Sequence, residues 1–321
     1  MDDARFLSPT PRSLGVALGG GGMKGWAHLG VISVLERYGL HPDVVSATSA
    51  GALIGAFWAA GYSVDEMRQL MREQRTNRMF TVRFDGVGLF SQDGLRAYLE
   101  AHLGDRTFAD LPIPLRVIAT DLETGREVIL RSGRVVDALL ASSAMPGVFA
   151  PVEIDGQLLV DGGLMNNVPV SALVHAGARH TLAVQLRRPK NRVPMRRDAN
   201  GRDANGRFSD GSPEQAMAGG DRVGLGLWAS RLTKRLGARR AGLPGGLDVA
   251  SRALDIVTQQ VEDLRLHFYP PDVLVGVDIA TTGLFSFSDD KEAIYGVGQR
   301  AAEQHADALA DLARLAGREP A

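Results

Sequence analysis

Short apolar, largely β-branched runs recur along the chain: SLGVAL (13–18), DVVSAT (43–48), LRVIATDL (115–122), EVIL (127–130), QLLV (157–160), HTLAVQL (180–186) and DVLVGVDI (272–279). Runs this short and this uniformly apolar fit strands buried on both faces. Segments with helical spacing of apolar positions lie between several of them, at 25–38, 50–60, 64–74, 94–103, 135–142, 169–176, 248–265 and 289–315. Strands alternating with helices predict an α/β fold with a mostly parallel central sheet covered on both faces. Ligands of such sheets bind at the carboxyl ends of the strands, so chemistry is expected in the loops after 13–18, 43–48 and 157–160.

One stretch breaks the alternation. Residues 187–245 include RRPKNRVPMRRDANGRDANGRFSDGS, with the pentapeptide DANGR repeated in tandem at 198–202 and 203–207. The repeat is too short and too polar to stack into a repeat architecture, and the segment reads as a disordered insertion. In the GLGLWASRLTKRLGARR that follows, Leu225, Trp228, Leu232 and Leu236 share one helical face, with Arg231, Lys234 and Arg235 mostly off it. A basic amphipathic helix over 224–240 would suit peripheral contact with an anionic membrane. Packing against its own domain explains the same periodicity and is the favoured reading. The expected organisation is a tail at 1–12, a core at 13–188, a basic insertion at 189–247, the remainder of the core at 248–315 and a second tail at 316–321.

Composition narrows the chemistry. The chain has 321 residues, enough for a full core, and its formal net charge of −1 offers nothing to nucleic acid. The absence of cysteine excludes disulfides, thiolate metal sites and a cysteine nucleophile. No run approaches the roughly 18 apolar residues of a membrane span. The opening MDDARFLSPTPRSLGVALGGGG starts acidic and lacks the apolar centre of a secretory signal. The expectation is a soluble, cytoplasmic protein that touches membrane surfaces at most peripherally.

Three motifs carry candidate chemistry. In LGGGGMKGWAHLGVISVLERYG a strand runs through four glycines into a helix, the arrangement that aims free N–H groups at an anion. The order Lys24-Gly25-Trp26 fails the Walker A requirement for Gly-Lys-Ser/Thr. Gly20-x-Gly22-x-x-Gly25 has dinucleotide spacing, but Asp43 opens its strand where the ribose-binding acid should close one. An oxyanion hole is the third reading, with Lys24 adding positive charge near the loop. The second motif, Ala47-Thr48-Ser49-Ala50-Gly51, is a nucleophile elbow with alanine in place of its first glycine. Taken alone, Ser49 is more simply a helix N-cap. In the third, ASSAMPGVFAPVEIDGQLLVDGGLMNNVPV, Asp161 ends a strand before Gly162-Gly163. An Asp-Gly-Gly by itself is usually a turn. A serine nucleophile needs a base, in most hydrolases a histidine, and of the seven histidines only His267 is a fair candidate.

Together the motifs are specific where each alone is not. GGGGMKG at 19–25, TSAGA at 48–52, FAPVEIDGQLLVDGG at 149–163 and the NNVP that follows resemble the patatin-like phospholipase family, over nearly all of 13–188 and again over about 248–315. The resemblance implies a three-layer α/β/α fold and a Ser–Asp dyad that needs neither histidine nor metal nor cofactor. Carried over by position, Ser49 is the nucleophile and Asp161 its general base. Gly20, Gly21 and Gly22 form the oxyanion loop, and Gly25 closes the motif. Ala47 departs from the family's usual glycine. The activity so implied is hydrolysis of a lipid acyl ester through an acyl-enzyme. Two alternatives stay open: a Ser–His–Asp esterase using His267, and a non-catalytic protein whose glycine loop holds a nucleotide or a lipid headgroup.

Overall fold

Strand β1 (Leu14–Leu18) shows how the sheet is buried on both faces. Leu14, Val16 and Leu18 enter the main core, whereas Ala17 faces a smaller one on the opposite side. The same alternation holds along β9 (His180–Arg187), where Leu182, Val184 and Leu186 enter the main core and Ala183 the smaller one. Period-two side chains with apolar residues on both faces require helices on both sides of the sheet, as expected for a three-layer α/β/α fold. The computed structural model describes residues 13–73, 81–82, 88–187, 246–279 and 291–318. The amphipathic segment at 224–240 lies outside them.

The main core is covered by α1 (Trp26–Arg37), α2 (Ala50–Ala59), α3 (Val64–Glu73), α4 (Asp93–Leu103) and α5 (Val135–Ser142). The smaller core is closed by α6 (Val170–His175) and by Leu266 near the end of α7 (Gly246–Phe268). The expected helix over 289–315 is two helices, α8 (Lys291–Glu303) and α9 (Ala306–Leu315). The break at Gln304 and His305 lets each helix bury its own stripe, Ile294, Tyr295 and Ala302 in the first and Leu309, Leu312 and Ala313 in the second.

The chain divides into two compact units. One comprises Met1–Arg188, Thr258–Ile279 and Leu284–Ala321, and the other Pro189–Val257 and Ala280–Gly283. The first holds the whole sheet. Of the second, the described part with secondary structure is the N-terminal half of α7. No helix among the described residues is long and apolar enough to cross a membrane.

The remaining sheet strands are β2 (Val44–Thr48), β5 (Leu115–Asp121), β6 (Glu127–Leu130), β7 (Val152–Ile154), β8 (Gln157–Asp161) and β10 (Val273–Asp278), while β3 (Thr81–Val82) and β4 (Phe90–Ser91) form a separate antiparallel pair. β10, β9, β1, β2 and β5 are parallel neighbours in that order. β6 and β8 run antiparallel to β5, and β7 antiparallel to β8. The β7–β8 hairpin turns at Asp155-Gly156, both with positive φ (51° and 77°), the conformation an Asp-Gly pair favours in a two-residue turn.

Register decides where the site forms. β2 pairs with β5 from Val45↔Leu115 to Thr48↔Ile118, and β8 pairs with β5 from Asp161↔Ala119 to Leu159↔Asp121. β6 faces Val117 to Thr120 and so occupies the other edge of β5. A strand has two edges, so β8 takes over the edge that β2 leaves. The chain departs after Thr48 where the antiparallel strand arrives at Asp161.

Candidate active site

Ser49 is at this handover, between β2 and α2, with φ 52° and ψ −120°. Among the described non-glycine residues only Ser49 and Asp155 have positive φ. Strain of this kind, of order 1–3 kcal/mol, persists only where the surroundings hold it. Here the Ser49 N–H donates to Ser142 Oγ at 2.8 Å, from the end of α5. α2 then runs back along the sheet so closely that a methyl group on Gly51 would strike the Leu18 carbonyl oxygen. Ala47, the departure from the elbow pattern, sits within β2 with no strained backbone. Its methyl group faces Gly55 of α2, where a Cβ would come within 3.3 Å of it. The space usually left by glycine in the strand is left here by glycine in the helix.

The Ser49 hydroxyl donates to Asp161 Oδ2 at 2.7 Å. The other carboxylate oxygen, Oδ1, accepts the Gly163 N–H at 2.8 Å, which fixes the carboxylate plane. Gly162 passes β5 so tightly that a Cβ there would run into the Ile118 carbonyl oxygen. Both Ser49 and Asp161 are buried. Burial pushes the Asp161 carboxyl up to about 6, against the bonds from Gly163 and Ser49, which favour its charged form. A carboxylate so placed is a stronger base than one in water, and its proton donor is already in contact.

The glycine loop lies on the other side of Ser49. Its entry is held by two backbone bonds, Gly19 N–H to Val184 O at 2.9 Å and Gly20 N–H to Asn167 O at 3.1 Å. The Gly20 amide is therefore spoken for. Those of Gly21 and Gly22 donate to no backbone group among the described residues. Gly22, with φ 59°, opens the 3₁₀ turn Gly22–Gly25. Within that turn Lys24 is buried, and a Cβ on Gly25 would meet Ala50 at ordinary contact distance.

Among the described residues no imidazole hydrogen-bonds to Ser49 or Asp161. His267 is exposed on the last turn of α7 with its ring against Phe268, centroids 5.7 Å apart. His28, from α1, is fully buried beneath the loop, with Nε2 2.7 Å from the Gly19 carbonyl oxygen. Burial lowers its pKa to about 4, so it is neutral and donates that bond. Asp43, the acid a dinucleotide site would need for ribose, instead accepts the Leu14 N–H at 2.7 Å and pairs with Arg318 at 2.6 Å.

Sequence reasoning did not single out Ser142 or His28, nor the partners of the NNVP segment after Gly163. That segment is stitched to the strand ends: Thr48 Oγ1 donates to Asn166 O and Ser46 Oγ to Pro169 O, both at 2.8 Å. The NNVP motif was visible as a motif, but its partners are more than a hundred residues away in sequence.

Residues 16–174 match the model of a family described as patatin-like phospholipase. An NTE family protein of Mycobacterium tuberculosis is 36% identical over 182 residues, 56% of this chain and 50% of that protein. The neuropathy target esterase sws of Drosophila melanogaster is 30% identical over 191 residues, 57% of this chain and 13% of that protein. This chain thus spans half or less of these relatives' own lengths. Among solved structures, VipD of Legionella pneumophila is similar with a TM-score of 0.54 at 16% identity, over 94% of this chain and 67% of that one, a likeness of fold.

Proposed function

We propose, on the premise that this chain belongs to the patatin-like phospholipase family through residues 16–174, that it hydrolyses lipid acyl esters with Ser49 as nucleophile and Asp161 as general base. The 2.7 Å bond from the Ser49 hydroxyl to Asp161, at a strained elbow, carries this reading. Asp161 takes the hydroxyl proton as Ser49 Oγ bonds to the acyl carbonyl carbon, and the carbonyl oxygen becomes an oxyanion. The N–H groups of Gly21 and Gly22, with the positive end of α2, stabilise that charge. The ester C–O bond breaks and Asp161 returns the proton to the departing alcohol. Water then attacks the acyl-enzyme carbonyl and gives its proton to Asp161; the bond from Ser49 Oγ to the acyl carbon breaks, the acid leaves, and Asp161 returns the proton to Ser49 Oγ. Gly20 serves the loop by close approach, since its own amide is bound to Asn167.

An apolar cavity supports an aliphatic acyl group. It is walled by Leu53, Ile54 and Phe57 of α2, Met67 and Leu70 of α3 and Leu99 of α4, among others. Leu53, one of its walls, lies one helical turn from the nucleophile, with its N–H bonded to the Ser49 carbonyl at 3.1 Å. Leu70→Trp narrows this space and is expected to lower the ratio of kcat/KM for a decanoyl ester to that for an acetyl ester by about tenfold. A ratio unchanged from wild type would place the chain elsewhere.

Fluorophosphonate labelling tests the nucleophile directly. The wild-type protein is expected to be labelled and the Ser49→Ala protein not. Labelling of Ser49→Ala at the wild-type rate would remove Ser49 from the mechanism. Peripheral membrane contact through 224–240 is a separate proposal: deleting 189–245 should abolish binding to anionic liposomes, and equal binding with and without the segment would refute it.

A further inference from the structure

The two carbonyl groups that fix the entry of the glycine loop belong to Val184 and Asn167. A single carboxylate spans the side chains at these anchors. Glu262, on α7, accepts the Asn167 Nδ2 amide on Oε2 and the Gln185 Nε2 amide on Oε1, and Gln185 is the residue after Val184. Glu262 is 7% exposed, a long way from any catalytic motif in the sequence. A carboxylate removed from water is retained at a cost unless its acceptors are filled, and here both oxygens are bound.

Asn167 is the hinge of this arrangement. Its backbone carbonyl holds Gly20, its Nδ2 is held by Glu262, and its Oδ1 lies against the glycine loop on one side and the acid turn on the other. A Cβ on Gly20 would collide with Oδ1, and one on Gly163 would come within 3.0 Å of it. Gly163 is the residue whose N–H orients Asp161. Moving the Asn167 side chain therefore shifts the loop and the base together. A second link from the same helix, Arg265 to Glu127 at 2.6 Å with Glu127 also accepting Asn166 Nδ2 at 2.8 Å, ties down the neighbouring residue.

We propose that Glu262 is a positioning residue: by bridging Asn167 and Gln185 it sets the spacing of the two carbonyl anchors and so the direction in which the Gly21 and Gly22 N–H groups point. The effect on turnover rests on the Ser49–Asp161 reading, while the effect on loop order does not. Glu262 touches neither substrate nor nucleophile, so its removal should weaken the transition state without weakening substrate binding.

The test uses the full chain with Glu262→Gln, and Glu262→Gln combined with Gln185→Glu. The single change sets an amide NH2 against one of the two amide donors. The reciprocal change restores one donor and one acceptor at that contact. Glu262→Gln is expected to lower kcat about 30-fold with KM within about twofold of wild type. The exchanged pair is expected to recover kcat to within about threefold of wild type. Hydrogen exchange of the peptide covering 19–25 is expected to run about tenfold faster in Glu262→Gln, whatever the identity of the nucleophile. Unchanged exchange in that peptide, or an exchanged pair that recovers nothing, overturns the proposal. Faster exchange with labelling that survives Ser49→Ala would leave the brace standing and refute the nucleophile instead. Should Glu262→Gln fail to fold, Gln185→Met cuts half the bridge with no mismatched amide. It should lower kcat about fivefold and speed exchange in the same peptide, and wild-type values for both would overturn the proposal.

Discussion

Asp161→Asn is expected to lower kcat by about 10⁴-fold while leaving KM within a factor of about three. The asparagine keeps the shape of the carboxylate. Its oxygen accepts the Gly163 N–H, and its NH2 group points at Ser49 Oγ, where Asp161 Oδ2 now accepts. What disappears is the place for a proton, and with it the means of making an alkoxide near neutral pH. The wild-type pH profile carries the same signature. A carboxylate base works only when ionised, so, with Asp161 as the proposed base, kcat/KM should rise through a midpoint set by its carboxyl at about 6 and level off above it. Steady-state assays of both proteins on a soluble short-chain ester from about pH 5 to pH 8 check the pair of expectations. An Asp161→Asn enzyme within tenfold of wild type would move the base to another group.

The strand–helix alternation was legible because the central parallel runs are buried on both faces, as Leu14 to Leu18 and Leu182 to Leu186 are. The β7 strand escaped notice because Val152–Ile154 is short and only partly buried, although the Asp155-Gly156 pair that turns it into β8 was in plain view. Asp161 was expected to end a strand, and it ends β8. β8 is antiparallel, and Asp161 meets Ser49 because Asp161↔Ala119 directly follows Thr48↔Ile118 along one edge of β5. Register of that kind is a property of three strands at once, and no single motif encodes it.

The partners of the glycine loop were hidden for a related reason. Hydrogen bonds such as Gly20 to Asn167, Ser49 to Ser142 and Glu262 to Gln185 join residues 77 to 147 positions apart. Local spacing says nothing about them. The motif glycines divide by role in a way their identity does not announce. Gly51 and Gly162 are needed because a Cβ would meet a backbone carbonyl, whereas Gly25 has room for one. Ala47 is tolerated because Gly55 has no side chain. A departure read one position at a time looked like a defect in the elbow, and the compensating residue is eight positions on, across the strand–helix interface.

The carboxylate proposed as the base should burden the fold, and Asp161→Asn should expose that burden as a pH-dependent gain in stability. The folded-state pKa of Asp161 is raised from 3.8 to about 6, chiefly by burial. A raised carboxyl binds its proton more tightly in the folded protein than in the unfolded chain. Its favourable contribution is therefore complete below the unfolded value and is lost as pH rises through the folded one. A displacement of that size corresponds to about 3 kcal/mol between those limits. Asparagine does not titrate, so the stability of Asp161→Asn minus that of wild type should be flat below about pH 4 and climb by about 2–3 kcal/mol on going to about pH 8. Other titrating groups, including Glu262, whose carboxyl burial also pushes up, are common to both proteins and cancel in the difference. Urea unfolding of the two proteins across that range measures it. A difference that does not change with pH, or that falls as pH rises, would mean that the Asp161 carboxyl is ionised at no cost in the folded protein, and a base activated by burial would then have to be given up.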